Sequence, residues 1–226
     1  MITAIIVAAG SGTRMGGEIP KQYMALGERK IIEHTLAKFA FADETILVIN
    51  PNHRRYTENL CVKIAEGGET RQESVYKALK AANPATDIVL IHDGVRPFVK
   101  KEYIDQVIEK ARLHGGAILA VPVKSTIKHK KNGKVTTVER TDLWAAQTPQ
   151  GFKYDIILKA YHENKDNLHN FTDDSSLSEK AGNVYIVEGC ESNIKITTKA
   201  DLEYGEYLLR THIQNPYPKN IAKSLK

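Results

Sequence analysis

The chain opens on MITAIIVA, where Ile, Val and Ala follow one another with little polar interruption, as in a strand buried on both faces at the centre of a parallel sheet. Similar runs return at 45–50 (TILVIN), 87–92 (DIVLIH), 116–121 (GAILAV) and 184–188, with a shorter one at 61–65. Between them the pattern becomes helical at 31–40, 53–59, 70–82, 101–113, 153–163, 172–181 and 199–212; in 70–82, Val75, Ala78 and Leu79 share one face. Repeated strand–helix units predict an α/β fold, a Rossmann-like open, mostly parallel sheet with helices on both faces.

The alternation lapses at 124–139. There KSTIKHKK and KVTTVE flank Asn132–Gly133, a pair that favours a tight turn, so a protruding β-hairpin arm is expected. Its strands carry too little apolar surface to stand alone, and a second subunit is a natural surface for them to pack on. Residues 194–197 read as a short extended stretch. The tail from Asn215, with Pro216 and Pro218, has no core pattern and is expected to be poorly ordered. Residues 1–226 thus read as a single domain with a dimerisation arm at about 124–146.

A chain of 226 residues is long enough to bury a full core. Its two cysteines, Cys61 and Cys190, lie far apart without a CxxC or Cys/His cluster, which points to small core-filling thiols rather than a zinc site or a disulfide framework. No apolar run approaches a membrane span and the first residues lack a basic leader, so a cytoplasmic protein is expected. The net charge of +5 suits nucleic acid, an anionic surface or small polyanions such as nucleotides. The lysines of 124–134 have no interleaved aromatics to stack bases, so neither nucleic acid nor membrane is expected as a partner.

The candidate chemistry begins at VAAGSGTRMGGEIPKQ (7–22), a strand that runs into a loop with four glycines and two cations, Arg14 and Lys21. Glycine lets backbone N–H groups approach a phosphate and the cations neutralise its charge, so the loop suits a triphosphate. It carries neither GxxxxGK[ST] nor GxGxxG, which argues against a P-loop ATPase and a dinucleotide-binding dehydrogenase. Asp93 ends a buried strand, where open α/β sheets place their ligands, and one carboxylate beside a triphosphate suffices for Mg²⁺. It could instead cap a helix. Lys195, between Ile194 and Ile196, points opposite to two apolar side chains and so lies over a site, unless it is a solvated strand lysine.

IVAAGSGTRMG (6–16), followed by PKQ (20–22), resembles the LxAAGxGxRMG and PKQ that open the 2-C-methyl-D-erythritol 4-phosphate cytidylyltransferases and their relatives, the ribitol-5-phosphate cytidylyltransferases. The resemblance continues in order through GGETRQESV (67–75), IHDGVRPF (91–98), VERTDLWAAQTPQGF (138–152), TDDSSL (172–177) and VEGCESNIKIT (187–197). It implies a homodimeric enzyme that uses Mg²⁺ to transfer CMP from CTP to a polyol phosphate and releases pyrophosphate. Arg14, Lys21 and Lys195 would serve the triphosphate and its transfer, beside Ala8, Ala9, Gly10 and Gly12. Gly67, Gly68, Glu69, Arg71 and Ser74 would read the cytosine, unless Gly67–Gly68 is a plain turn. Asp93 would hold the metal. Arg96, Thr126, Arg140 and Thr148 would bind the acceptor, with Arg140 reaching the neighbouring subunit's site unless it pairs locally with Asp142.

One position departs from the pattern: Ser192 stands where many methylerythritol enzymes carry Asp, as in ribitol-type relatives. CDP-ribitol formation is therefore the nearest alternative, and a noncatalytic nucleotide- or RNA-binding protein a more distant one.

Overall fold

The computed structural model describes residues 1–10, 19–179 and 184–213. Gly12, Arg14 and the tail from Asn215 lie outside them. The elements follow the predicted alternation: β1 (Ile2–Ala8), the short β2 (Ala25–Leu26) and β3 (Arg29–Lys30), α1 (Ile31–Lys38), β4 (Glu44–Ile49), β5 (Lys63–Glu66), α2 (Arg71–Ala81), β6 (Ile88–Asp93), α3 (Lys101–His114) and β7 (Gly116–Pro122). After them come β8 (Ile127–Lys131), β9 (Lys134–Val138), β10 (Trp144–Lys153), α4 (Tyr154–Glu163), α5 (Asp174–Ser178), β11 (Val184–Glu188) and α6 (Lys199–Ile213).

Seven strands form one sheet in the order β11-β7-β10-β6-β1-β4-β5. All neighbours run parallel except β10, which is antiparallel to both β6 and β7. The pleat sorts side chains to two faces. Ala4, Ile6, Leu47 and Leu90 join Ile32 of α1 and Val107 of α3 on one. Ile5, Val48, Val89 and Ile91 join Val75, Ala78 and Leu79 of α2 and Ile157 of α4 on the other. Helices therefore cover both faces as expected, and each fully buried Ile, Leu or Val contributes roughly 1.5–3 kcal/mol. Helix α6 adds a third cluster, in which Leu208 meets Leu26, Phe98 and Ile196.

The arm is a two-stranded ladder, β8 with β9, whose turn places Asn132 and Gly133 at positive φ, as the Asn–Gly pair predicts. Its apolar residues do not find a core: Val135 is 59 % exposed and Trp144, just beyond the hairpin, 38 %.

Three expectations change. Residues 53–59 are not an α-helix; a 3₁₀ turn runs over Pro51–Tyr56, none of it buried, with the Asn50 side chain accepting from the Asn52 N–H. The helix expected from 172 starts at Asp174, because the Asp173 carboxylate accepts from the Ser176 N–H and caps it there. The cysteines do not fill the core: both are free, Cys61 is exposed in the connection before β5, and Cys190 is only half-buried. Among the described residues no helix is long and apolar enough to cross a membrane.

Candidate active site

A cleft of about 230 Å³ opens at the carboxyl ends of β1 and β6, where the connections to their helices diverge. Ala8, Ala9, Gly10, Lys21, Gly68, Glu69, Arg71, Ser74, Asp93 and Lys195 all line it. Ten of the residues singled out in the sequence, drawn from four separate segments, thus converge on one place.

Hydrogen bonding builds the nucleotide side. Gln22 is 2 % exposed, and its Nε2 donates to the carbonyls of Ala8 (2.8 Å) and Gly10 (3.0 Å). Lys21 is thereby tied to the end of β1. Sequence reasoning missed Gln22, although the PKQ triplet held the signal: an amide two positions after a proline, behind a glycine loop full of backbone carbonyls.

Opposite lies the Gly67–Gly68 turn. The Gly67 N–H donates to the Ile49 carbonyl at 2.7 Å. The Gly68 N–H donates to Ser74 Oγ at 2.9 Å, and that hydroxyl donates on to the Thr70 carbonyl at 2.8 Å. Ser74 therefore holds the turn against the start of α2, where the Thr70 side chain accepts from the Glu73 N–H as the helix cap. A Cβ on Gly67 would meet the Ala9 Cβ at 2.5 Å, Ser74 Oγ at 3.0 Å and the Ile49 carbonyl oxygen at 3.3 Å. Gly67→Ala should then push the turn from β1, raising the CTP KM by about tenfold and costing ~1–3 kcal/mol of stability. Nucleotide titration and thermal unfolding check both.

Asp93 is the electrostatic centre. It is 6 % exposed, and its carboxylate accepts from Lys195 Nζ at 3.0 Å, Arg96 Nε at 3.3 Å and Arg71 Nε at 3.4 Å. Burial by itself would raise its pKa, but Arg71, Lys195 and Arg96 outweigh that and hold it far below the usual carboxylate range. It does not cap α3, whose cap position is Lys100. Nor is Lys195 merely a solvated strand lysine: Ile196 beside it is fully buried while its own amine reaches Asp93.

Arg71 bridges two carboxylates, since its Nη2 also donates to Asp174 at 2.8 Å. Burial opposes its charge, yet Asp174 and Asp93 more than compensate and raise its pKa. Asp174 is fully buried and accepts from the Tyr161 hydroxyl at 2.6 Å, so the arginine is braced from behind.

Thr148, expected from the sequence to bind the acceptor, is 5 % exposed and lies in β10, beyond the arm. Its Oγ1 accepts from the Asp93 N–H at 3.1 Å and stands 3.1 Å from His92 Nδ1. The fully buried His92 has its pKa lowered by that burial to about 4, so it is neutral at pH 7. Its Nε2 faces the Arg96 carbonyl at 3.0 Å and must donate there, which leaves Nδ1 to accept the Thr148 hydroxyl proton. Thr126 and Arg140, by contrast, are exposed on the arm and do not line the cleft of their own chain.

Two carboxylates of the described residues line the cleft, and of these Asp93 is buried while Glu69 is exposed. Among the described residues no group of three or more His, Cys, Asp or Glu side chains stands ready for a metal. The three cationic neighbours of Asp93 would repel a bare divalent ion. This donor set fits a metal that arrives already bound to phosphate oxygens.

The family model described as 2-C-methyl-D-erythritol 4-phosphate cytidylyltransferase matches residues 2–211. The protein of that name from Clostridioides difficile is 43 % identical, over 92 % of this chain and 94 % of its own length. A bifunctional enzyme IspD/IspF from Rhodospirillum rubrum is 46 % identical over 92 % of this chain, which spans only 57 % of that longer protein. The crystal structure of 2-C-methyl-D-erythritol 4-phosphate cytidylyltransferase from Thermus thermophilus superposes with a TM-score of 0.80 at 31 % identity, covering 91 % of this chain and 98 % of that one. The convergence of the motifs on one cleft and these matches over most of the chain agree: the chain belongs to the 2-C-methyl-D-erythritol 4-phosphate cytidylyltransferase family.

Proposed function

We propose that this cleft transfers CMP from CTP to 2-C-methyl-D-erythritol 4-phosphate and releases pyrophosphate, a step in isoprenoid precursor synthesis. The observation that carries the reading is the buried carboxylate that lines the glycine-rich cleft, Asp93, ringed by Lys195, Arg96 and Arg71. Transfer of a nucleotidyl group needs positioning and charge neutralisation rather than a protein nucleophile, and this arrangement supplies both.

In this reading the acceptor's phosphate oxygen attacks the α-phosphorus of CTP in line, the bond to the pyrophosphate oxygen breaks, and its electron pair leaves with pyrophosphate. Lys21 and Arg14 balance charge that builds on the phosphates. Lys195 and Arg96, both anchored on Asp93, keep the two anionic substrates close despite their repulsion. Mg²⁺, held by Asp93 and brought in with the triphosphate, would neutralise phosphate charge. Ser192 leaves this chain with one acidic ligand where many relatives have a second candidate. Its hydroxyl instead lies 3.1 Å from Cys190 Sγ. A cytoplasmic reaction, with CTP drawn from the nucleotide pool, is part of this reading.

The arm supports a homodimer in which Arg140 and Thr126 of one subunit complete the site of the other. An exposed hairpin with half-exposed Val135 and Trp144 needs a partner surface, and a two-fold axis offers the same patch twice. An arginine suits that reach, because its planar fork grips a phosphate through two hydrogen bonds. Two nearly inactive chains, Arg140→Ala and Lys21→Ala, should regain activity on co-expression, since one of the two sites in each mixed dimer then has both residues intact. Proven heterodimers as inactive as their parents would place Arg140 in its own subunit's site.

The acceptor is tested by pyrophosphate release from CTP with either polyol phosphate. Methylerythritol phosphate should be preferred in kcat/KM; a preference for ribitol 5-phosphate would reassign the acceptor and leave the nucleotide chemistry standing.

A further inference from the structure

Behind Arg96, three stretches of chain meet at one buried side chain. Asn193 has no exposed surface, and both hydrogens of its amide are used: Nδ2 donates to the Thr148 carbonyl at 2.9 Å and to Gln147 Oε1 at 3.1 Å. Gln147 in turn donates from Nε2 to the Cys190 carbonyl at 3.0 Å, fastening the start of the same segment. The Asn193 backbone carbonyl accepts from Arg96 Nη1 at 2.7 Å, and two residues further on Lys195 reaches Asp93. A ring closes through His92, which bridges the Arg96 carbonyl to the Thr148 hydroxyl.

We infer that Asn193 is a positioning residue for the acceptor: it fixes the carbonyl on which the Arg96 guanidinium hangs and locks the Lys195 segment to β10. The inference rests on the proposed function, in which Arg96 holds the acceptor's phosphate. The position calls for two donors aimed at two oxygens about 3 Å away, at a fixed place in a dry interior. Among the described residues Asn193 Oδ1 finds no partner. An apolar side chain of similar size would avoid that unsatisfied acceptor but could not bind β10 to the 190–195 segment, so the donors are what the geometry uses. Aspartate has the same shape but no donor, and it would set a charge against two oxygens.

The hydrogen bonds of Asn193 bear first on the acceptor: Arg96 hangs on its carbonyl, while Lys195, assigned to the triphosphate, keeps its own anchor on Asp93. Among the described residues the Asn193 side chain hydrogen-bonds Gln147 and Thr148 and neither the Gly67–Gly68 turn nor Gln22, which are expected on the CTP side. Asn193→Ala and Asn193→Asp should therefore lower kcat/KM for the acceptor by up to ~10²-fold, as a displacement of about 1 Å does, while the KM for CTP changes less than about threefold. Gln147→Met, which removes one of the two oxygens and leaves Asn193 in place, should move the acceptor parameters in the same direction and serves if the Asn193 variants do not fold. Arg96→Lys supplies the decisive comparison. If Asn193 acts through Arg96, the loss caused by Arg96→Lys shrinks in the Asn193→Ala or Gln147→Met background. Strict additivity, an unchanged kcat/KM for the acceptor, or equal losses in kcat/KM for both substrates would overturn the inference. Acceptor-dependent pyrophosphate release by the wild-type protein, measured first, tests the proposed function itself, and the variants' split between acceptor and CTP then tests Asn193.

Discussion

Lys21→Ala should lower turnover by at least ~10²-fold, the usual loss for one preorganised electrostatic contact, while CTP binding weakens far less. The asymmetry follows from where charge develops. A lysine that only held the triphosphate would stabilise ground and transition states alike, and its loss would appear in KM. Lys21 begins a 3₁₀ turn tied to β1 through Gln22, whose amide grips the Ala8 and Gly10 carbonyls. Its backbone is therefore placed before substrate arrives, and little reorganisation is left for the reaction itself. Single-turnover rates beside equilibrium CTP binding separate the two effects. A variant that turns over near the wild-type rate, or that loses binding and turnover equally, removes Lys21 from the transferring step.

Asp93→Asn should be comparably severe, with turnover down by ~10²-fold or more and the Mg²⁺ requirement raised. The substitution keeps the shape but removes the one negative charge that Lys195, Arg96 and Arg71 share. Arg71 still has Asp174 at 2.8 Å, so the cytosine side stays largely in place. Lys195 and Arg96 lose their anchor carboxylate, so the groups proposed for the triphosphate and for the acceptor loosen together. Chelation of divalent metal should abolish pyrophosphate release by the wild-type protein. Full activity in chelator would dismiss the metal, and an Asp93→Asn variant with ordinary Mg²⁺ activation would dismiss Asp93 as its ligand. Because its neighbours keep Asp93 ionised far below neutrality, protonation of this group should not shape the acid side of the pH–rate profile.

Much of this was legible in the chain because buried parallel strands leave a strong imprint. Runs such as AIIVA and DIVLIH admit little besides a central strand, and ligands gather at the carboxyl ends of such strands by topology. Asp93 and Lys195 could accordingly be placed over a site, and the fold sets them 3.0 Å apart along one cleft. The strand β10 was not legible. Its sequence, WAAQTPQGFK, mixes polar residues with Pro149 and Gly151, and its ladder with β7 shifts register between Ala146 and Gln150. No alternation survives such a break.

The polar braces were hidden for a different reason. Gln22, Gln147, Asp174 and Asn193 are ordinary surface residue types, and only the fold reveals that each is buried, with Gln22 and Asp174 bonded to the cleft residues Ala8 and Arg71 and with Gln147 and Asn193 fastening β10 to the 190–195 segment behind them. Periodicity reports burial of apolar side chains and is silent on these. The arm illustrates the opposite limit. Its Asn132–Gly133 turn was readable, yet in the proposed dimer Arg140 acts on a second chain, and no single-chain pattern encodes that distance.

The most direct test follows the α-phosphorus. CTP labelled there is incubated with the protein, Mg²⁺ and 2-C-methyl-D-erythritol 4-phosphate, and the label and pyrophosphate are both traced. The account predicts label in a new cytidine diphosphate ester of the acceptor, with one pyrophosphate released for each ester formed and neither product without acceptor. Label that remains in CTP, or that appears only as CDP or CMP whether or not acceptor is present, would contradict it.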